Sequence, residues 1–200
     1  IILSKGGGYI AGDNCLIKKT STKLYAALSD GMGSGLKAYE ASKALLKRLE
    51  GLINLPYDDE KIIRLLTELS HISLFTSSYA TLDFFSANLA TKKGKLFKIA
   101  SSTSLLIRNN QIKEFNTKTL PIDFDGILDL YEIDLEKNDI ILLMSDGVFD
   151  FSNIKALYSY ILSISYLEPD KLVYNIAKYI FNESNKKLHD DTSILAIKVY

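Results

Sequence analysis

The chain predicts an α+β fold, an α/β-sandwich of two packed, mainly antiparallel β-sheets flanked by paired helices. Three observations carry that expectation. Most β-like runs are joined by short polar turns, which suit antiparallel neighbours. The helical stretches come as one early pair and one late pair rather than one after each strand, which excludes a doubly wound parallel sheet. The run Ile140 to Met144 is apolar at every position, as in a strand covered on both faces.

Taken in order, the elements read as follows. After Gly6-Gly7-Gly8 come two strands, Cys15 to Lys19 and Lys23 to Ser29, joined by the polar Thr20-Ser21-Thr22. From Gly35 the period becomes helical, with Ala38, Ala41, Leu45, Leu49 and Leu52 on one face. Pro56 breaks the chain, and Asp58-Asp59-Glu60 supplies acidic first-turn residues to a second helix whose face is Ile62, Leu65, Leu66, Leu69 and Ile72. Strands then follow over Ala80 to Ala90, Lys95 to Ala100, Leu105 to Arg108 and Gln111 to Phe115, with Lys93-Gly94 and Asn109-Asn110 at the turns. A polar loop from Thr117 to Gly126 leads to strands Leu130 to Leu135 and Ile140 to Met144. Helices over Ile154 to Ser165 and Asp170 to Asn182 precede a last strand, Ser193 to Val199. No linker rich in Pro or Ser divides the 200 residues, so residues 1–200 are expected as one domain. The first residue is Ile1 rather than Met, so the expected domain is a piece of a longer protein.

Bulk composition narrows the function. Lysine plus arginine number 24 and aspartate plus glutamate 24, so no net field draws the chain to nucleic acid or anionic lipid. No apolar run approaches the ~20 residues of a membrane helix, and no signal peptide opens the chain, so no membrane contact is expected of this segment. The single cysteine, Cys15, excludes an internal disulfide, suits a reducing cytoplasm and is expected to be a buried small apolar residue of its strand.

The chemistry concentrates at strand ends. Ala26 to Gly31 and Ile140 to Gly147 both run an apolar strand into Ser-Asp-Gly. Gly12-Asp13 and the pair Asp190-Asp191 add two further acidic sites. Strand ends are rigid places from which to project carboxylates, and carboxylates on separate strand ends are the oxygen donors that Mg²⁺ and Mn²⁺ prefer. Such a site points to hydrolytic metal chemistry on phosphoryl groups.

Lys5-Gly6-Gly7-Gly8, Gly12-Asp13, Ser29-Asp30-Gly31-Met32-Gly33-Ser34-Gly35, Ser145-Asp146-Gly147 and Asp190-Asp191-Thr192 together resemble the metal-dependent serine/threonine phosphatases of the protein phosphatase 2C type. Within them the chain looks most like the phosphatase domains of the stage II sporulation protein E family. Tyr79 to Asp83 and Leu120-Pro121-Ile122 fall in that family's order as well. The resemblance implies a two-metal centre of Mn²⁺ or Mg²⁺, with Asp13, Asp30, the Gly31 carbonyl, Asp146 and Asp190 as its catalytic metal ligands. Asp191 ranks below Asp190, because the family's ligand opens an Asp-x-x-Ser/Thr run. It implies a metal-activated water attacking phosphorus in line, without a phosphoenzyme. It also implies a phosphorylated anti-sigma factor antagonist as substrate partner, homodimer formation, and a cytoplasmic domain of a membrane-anchored parent. The helices between Gly35 and Leu74 would form a movable regulatory element.

The chain departs from the family where Met32 replaces the His that many members carry after Asp-Gly. It also lacks an arginine near Asp13 to clamp phosphate, for which Lys5 or the Gly6-Gly7-Gly8 amides would have to substitute. His71 is expected in packing or at the surface, and His189 in solvent. Two rival readings stand. Asp123-Phe124-Asp125 imitates the nucleophile loop of haloacid-dehalogenase-type phosphatases, although Pro121 interrupts the strand such a loop needs. The other is a catalytically weak phosphatase fold serving as a binding or dimerisation module.

Overall fold

Strand alternation sorts the apolar residues of this chain into three cores, and the layers of the molecule follow from that sorting. The computed structural model describes residues 1–72, 79–117, 129–150 and 153–200, with the side chains of 70–72 excepted. A short β1 (Ile2–Leu3) is followed by β2 (Asn14–Lys19), β3 (Lys23–Ser29), α1 (Gly35–Leu52) and α2 (Asp59–Ile72). Next come β4 (Leu82–Asn88), β5 (Lys93–Ile99), β6 (Ser104–Arg108), β7 (Gln111–Phe115), β8 (Asp129–Asp134) and β9 (Ile140–Met144). The order ends with α3 (Ile154–Ser163), α4 (Pro169–Glu183) and β10 (Thr192–Lys198). The strands form two sheets, β1-β10-β9-β6-β7 and β2-β3-β4-β5-β8. Every pairing among these strands is antiparallel.

Between the sheets lie Ala26, Leu28, Phe85, Leu96, Ile141 and Leu143. Their strand neighbours point the other way. Tyr25, Ala27, Phe84 and Phe97 meet Leu46, Leu49, Ile62 and Leu66 of α1 and α2, while Ile140, Leu142 and Met144 meet Leu157, Ile161, Leu172 and Ile176 of α3 and α4. The result is a helix–sheet–sheet–helix sandwich. In the α1–α2 layer the rings of Tyr25, Phe84 and Phe97 stack in a row, each pair 5.8 Å apart between centroids. No helix among the described residues is long and apolar enough to cross a membrane.

Some local expectations shift. Asn109 and Asn110 both take positive φ (50° and 60°), as a two-residue hairpin turn requires. Lys93 and Gly94 do not turn; they belong to β5, and the turn falls just before them, where Lys92 has φ 54°. Cys15 is exposed rather than buried, because β2 is an edge strand and only alternate residues such as Leu16 face the helices. On α1 the buried face is Ala38, Ser42, Leu46, Leu49 and Leu52, rotated slightly from the apolar pattern.

Charged residues also bind the layers. Asp59, buried at the start of α2, accepts from Lys23 Nζ at 2.7 Å and Ser86 Oγ at 2.8 Å, fixing the helix to the sheet. Asp83 on β4 and Lys98 on β5 oppose each other in register and form an ion pair with side chains 2% and 0% exposed. Lys98 Nζ also donates to the Ser102 carbonyl at 2.6 Å and Ser104 Oγ at 2.8 Å. Asp83 accepts from Ser101 and Ser104 at 3.0 and 2.6 Å. Burial holds the Lys98 ammonium below its ordinary pKa, with Asp83 opposing that shift. A buried pair of this kind is costly to break and cheap to replace as a unit. Lys98→Met is therefore expected to destabilise the fold by about 3–5 kcal/mol in urea melts, and Lys98→Met combined with Asp83→Leu to recover most of that loss.

Candidate active site

Two hairpin registers bring the acidic strand ends together. β2 pairs with β3 so that Asn14 opposes Ser29, which sets Asp13 and Asp30 side by side just beyond the ladder. β9 pairs with β10 so that Met144 opposes Ile194, and Ser145 N–H donates to the Ser193 carbonyl at 3.0 Å. Asp146 then leaves β9 in a single 3-10 turn (Asp146–Val148) beside the chain at Asp190. Each sheet thus contributes one acidic pair at the same end of the sandwich.

The electrostatics report how close the pairs are. Burial pushes the Asp30 carboxyl up to about 8, and Asp13, Asp146 and Asp190 each push it further in that direction. Burial also raises Asp13, opposed by the nearby hydroxyls of Ser193 and Ser145 and by the Asp30 carboxyl. Asp146, the more open group, is raised first by burial and then by Asp190. Asp13 is only 2% exposed, and neither of its carboxylate oxygens has a hydrogen-bond partner among the described residues. A buried carboxylate without a donor is costly unless a cation completes it.

The supports around these groups are specific. Asp30 is held by Thr81, whose Oγ1 accepts the Asp30 N–H at 3.1 Å and whose N–H donates to the Asp30 carbonyl at 2.8 Å. Gly31 bridges to Ala80, and a Cβ on Gly31 would fall on the Ala38 carbonyl of α1. Gly147 is pressed in the same way against the Asp191 carbonyl. Ser42 Oγ donates to the Gly12 carbonyl, so α1 touches the Asp13 loop as well.

Asp191 takes a different role from its neighbour. Its Oδ1 accepts the Lys5 N–H and its Oδ2 the Gly12 N–H, both at 2.6 Å. Both oxygens are thus committed to the backbone, and Asp191 ties the amino-terminal loop to β10. Asp190 is half-buried and faces the cluster. The glycine amides expected as a phosphate cradle are committed too. Gly6 donates to Leu188, Gly7 to Ser4 and Gly8 to Lys5. Lys5 and His189 are exposed. Leu120-Pro121-Ile122 and Asp123-Phe124-Asp125 lie outside the described residues, as does the side chain of His71. The uniformly antiparallel pairing nevertheless contradicts the parallel α/β architecture that a dehalogenase-type site at Asp123 would need.

The donor set suits hard divalent cations. It consists of carboxylates and a backbone carbonyl, and among the described residues no three His, Cys, Asp or Glu side chains close into a ready-made metal cage. Mg²⁺ in particular is held by few carboxylates with water in the remaining positions. Carboxylates from two walls with an orphan at Asp13 fit that mode. The motif run Tyr79 to Asp83 includes Thr81 and Asp83 but does not disclose their roles as supports, and Ser42 and Lys98 lie outside the motifs. Asp83 and Lys98 did leave a trace, since each interrupts an apolar strand.

The cluster should therefore oppose folding until metal arrives. In EDTA, Asp30→Asn is expected to melt above wild type, by on the order of 1 kcal/mol or more, because the amide carries no charge to bury. Added Mn²⁺ is expected to raise the Tm of wild type and not of Asp30→Asn. Asp191→Ala is expected to lose about 2 kcal/mol with or without metal.

Comparison with known proteins agrees with this geometry. Residues 20–200 match the family model described as Stage II sporulation protein E (SpoIIE). Stage II sporulation protein E of Bacillus subtilis (strain 168) is 29% identical over 153 residues, 74% of this chain and 18% of that protein. This chain thus spans about a fifth of that relative's length. The structure of the PP2C phosphatase domain and a regulatory-domain fragment of SpoIIE from Bacillus subtilis superposes with TM-score 0.87 at 24% identity, over 100% of this chain and 61% of that one. RsbX in complex with magnesium superposes with TM-score 0.73 at 19% identity, over 98% of this chain and 91% of the other. With nearly its whole length matched, this chain belongs to the stage II sporulation protein E family.

Proposed function

We propose that this chain is a metal-dependent protein serine phosphatase acting on a phosphorylated anti-sigma factor antagonist. The observation that carries the reading is the convergence of four carboxylates at one end of the sandwich, where burial, with Asp13, Asp146 and Asp190 adding to it, pushes Asp30 up to about 8 and where Asp13 lies buried without a hydrogen-bond partner among the described residues. Two Mn²⁺ or Mg²⁺ ions would supply Lewis acidity toward the phosphoryl group and a water activated at neutral pH. Asp13, Asp30 and the Gly31 carbonyl would hold them from one sheet, Asp146 and Asp190 from the other.

The remaining tasks fall to the protein. Thr81 keeps Asp30 at its strand end. Asp191 keeps the Asp13 loop against β10 by taking the Gly12 amide. Met32 is 51% exposed and carries no proton to give, so protonation of the leaving serine alkoxide falls to water or to another residue. The magnesium in the RsbX structure supports the choice of a hard cation. SpoIIE from Bacillus subtilis is a cell fate determinant, which supports a sporulation setting for this relative. The family resemblance supports a cytoplasmic setting in a membrane-anchored parent and self-association as a homodimer.

The test is phosphate release from a phosphoserine anti-sigma factor antagonist while Mn²⁺ is titrated from zero. Turnover is expected to require Mn²⁺ and to fall 100-fold or more in Asp146→Asn, since even outer partners of metal ligands cost about 10–100-fold. Tight phosphoprotein binding without turnover at saturating Mn²⁺ would instead identify a binding module. Activity that survives Asp146→Asn and Asp30→Asn but not Asp123→Asn would move the chemistry to Asp123.

A further inference from the structure

Two concavities adjoin the carboxylate cluster, and they differ in what they can hold. One is a cleft of about 180 Å³ whose lining includes Asp30, Thr81, Ser101 and Asp146 beside Leu28 and Met144. Its size suits ions, water and a phosphoryl group, and the carboxylates Asp30, Asp83 and Asp146 line it. The other is a groove of about 490 Å³ lined by Ile2, Tyr9, Ile10, Tyr39 and Asn14, with the buried Asp13 at its floor. Tyr9 is fully exposed and Ile10 is 45% exposed. Asp13 is the single charged lining residue of the groove among the described residues, and both its oxygens lack partners among them.

We infer that this groove receives the polypeptide segment next to the phosphorylated residue and favours bulky apolar side chains beside phosphoserine. The inference rests on the phosphatase reading above. In an extended segment successive residues advance about 3.3 Å, so the immediate neighbours of a phosphoserine bound at the cluster must pass close to Asp13. Of the two concavities, the groove alone has the volume to seat them, and Ile2, Tyr9, Ile10 and Tyr39 give it bulky apolar walls. An exposed tyrosine beside a concave apolar surface gives large contact area at low entropic cost, the composition found at binding hot spots. With no cation in its described lining, the groove gives an acidic flanking residue nothing to pair with. Its floor belongs to the metal cluster, so it must stay open during turnover, which argues against a second copy of the chain as its resident.

The test compares the intact wild-type chain with the Tyr9→Ser, Ile10→Ser double variant at saturating Mn²⁺. The probes are p-nitrophenyl phosphate and two phosphoserine nonapeptides that differ only in leucine or glycine on either side of the phosphoserine. Wild type is expected to favour the leucine peptide at least tenfold in kcat/KM, through KM. The variant is expected to lose that preference while hydrolysing p-nitrophenyl phosphate at the wild-type rate. Equal KM values for the leucine peptide in both proteins overturn the inference. So does a proportional loss on p-nitrophenyl phosphate, which would make the two residues supports of the cluster. A change in sedimentation without a change in peptide KM would assign the groove to contact between copies, and the inference again falls. Should wild type hydrolyse none of the probes, the phosphatase reading fails separately. Fluorescence polarisation of the labelled leucine peptide then decides the groove: a Kd weakened at least tenfold in the variant sustains it, and an unchanged Kd removes it.

Discussion

The mutual repulsion of four carboxylates at one end of the sandwich is the constraint on which the rest of this structure turns. Their strand ends would separate if free to relax, because Asp13, Asp146 and Asp190 add to the cost that burial already sets on ionising Asp30, and Asp190 does the same to Asp146. The fold denies them that relaxation. Asp13 and Asp30 are neighbours across a hairpin, and Asp146 and the residues before Thr192 are neighbours across another pair. Three cores hold the two sheets together at a distance that side-chain packing sets. Stability is thus spent on proximity, as it is at many functional sites. The compensations lie nearby: a carboxylate satisfied by two amides at Asp191, two glycines that let backbone meet backbone, and a fully bonded ion pair at Asp83 and Lys98.

Much of this could be read before the fold was known, and the reason is local. An apolar run ending in Ser-Asp-Gly fixes both the strand and the direction in which its last carboxylate leaves, so Asp30 and Asp146 were legible. That the backbone amides take up Asp191 could not be read from the residues themselves. Adjacent residues at a strand end point to opposite sides, and composition alone does not reveal the phase. The Asp83–Lys98 pair was hidden by register. A turn placed at Lys93-Gly94 carries Asp83 past Lys98, whereas the turn that ends at Lys92 sets the two opposite each other. Ser42 was hidden for another reason. A polar residue is not assigned to an apolar face, and its burial depends on the Gly12 carbonyl 30 positions away.

These hidden contacts share a purpose that the motifs do not show. Asp59 with Lys23 and Ser86, and Glu60 with Lys95 at 2.7 Å, fasten the start of α2 to the sheet beneath it. At the other end of the pair, α1 begins five residues after Asp30. Its Ala38 carbonyl lies against Gly31, and its Ser42 hydroxyl reaches the Gly12 carbonyl. One helix therefore touches both loops that carry the first acidic pair, through its own backbone at Gly31 and through the short Ser42 side chain at the Gly12 carbonyl.

That geometry gives α1 leverage over the site. Close-packed interfaces move as units rather than deform smoothly. A displacement of α1 along its axis would drive the Ala38 carbonyl toward or away from Gly31 and draw the Gly12 loop with it through Ser42. The spacing of Asp13 from Asp30, and with it the position of the Gly31 carbonyl, would change in a single motion. Asp146 and Asp190, held on the other sheet by Ser145, Ser193 and Gly147, would stay where they are. The two halves of the carboxylate cluster thus differ in kind: one is set by sheet packing alone, the other also by where a helix rests.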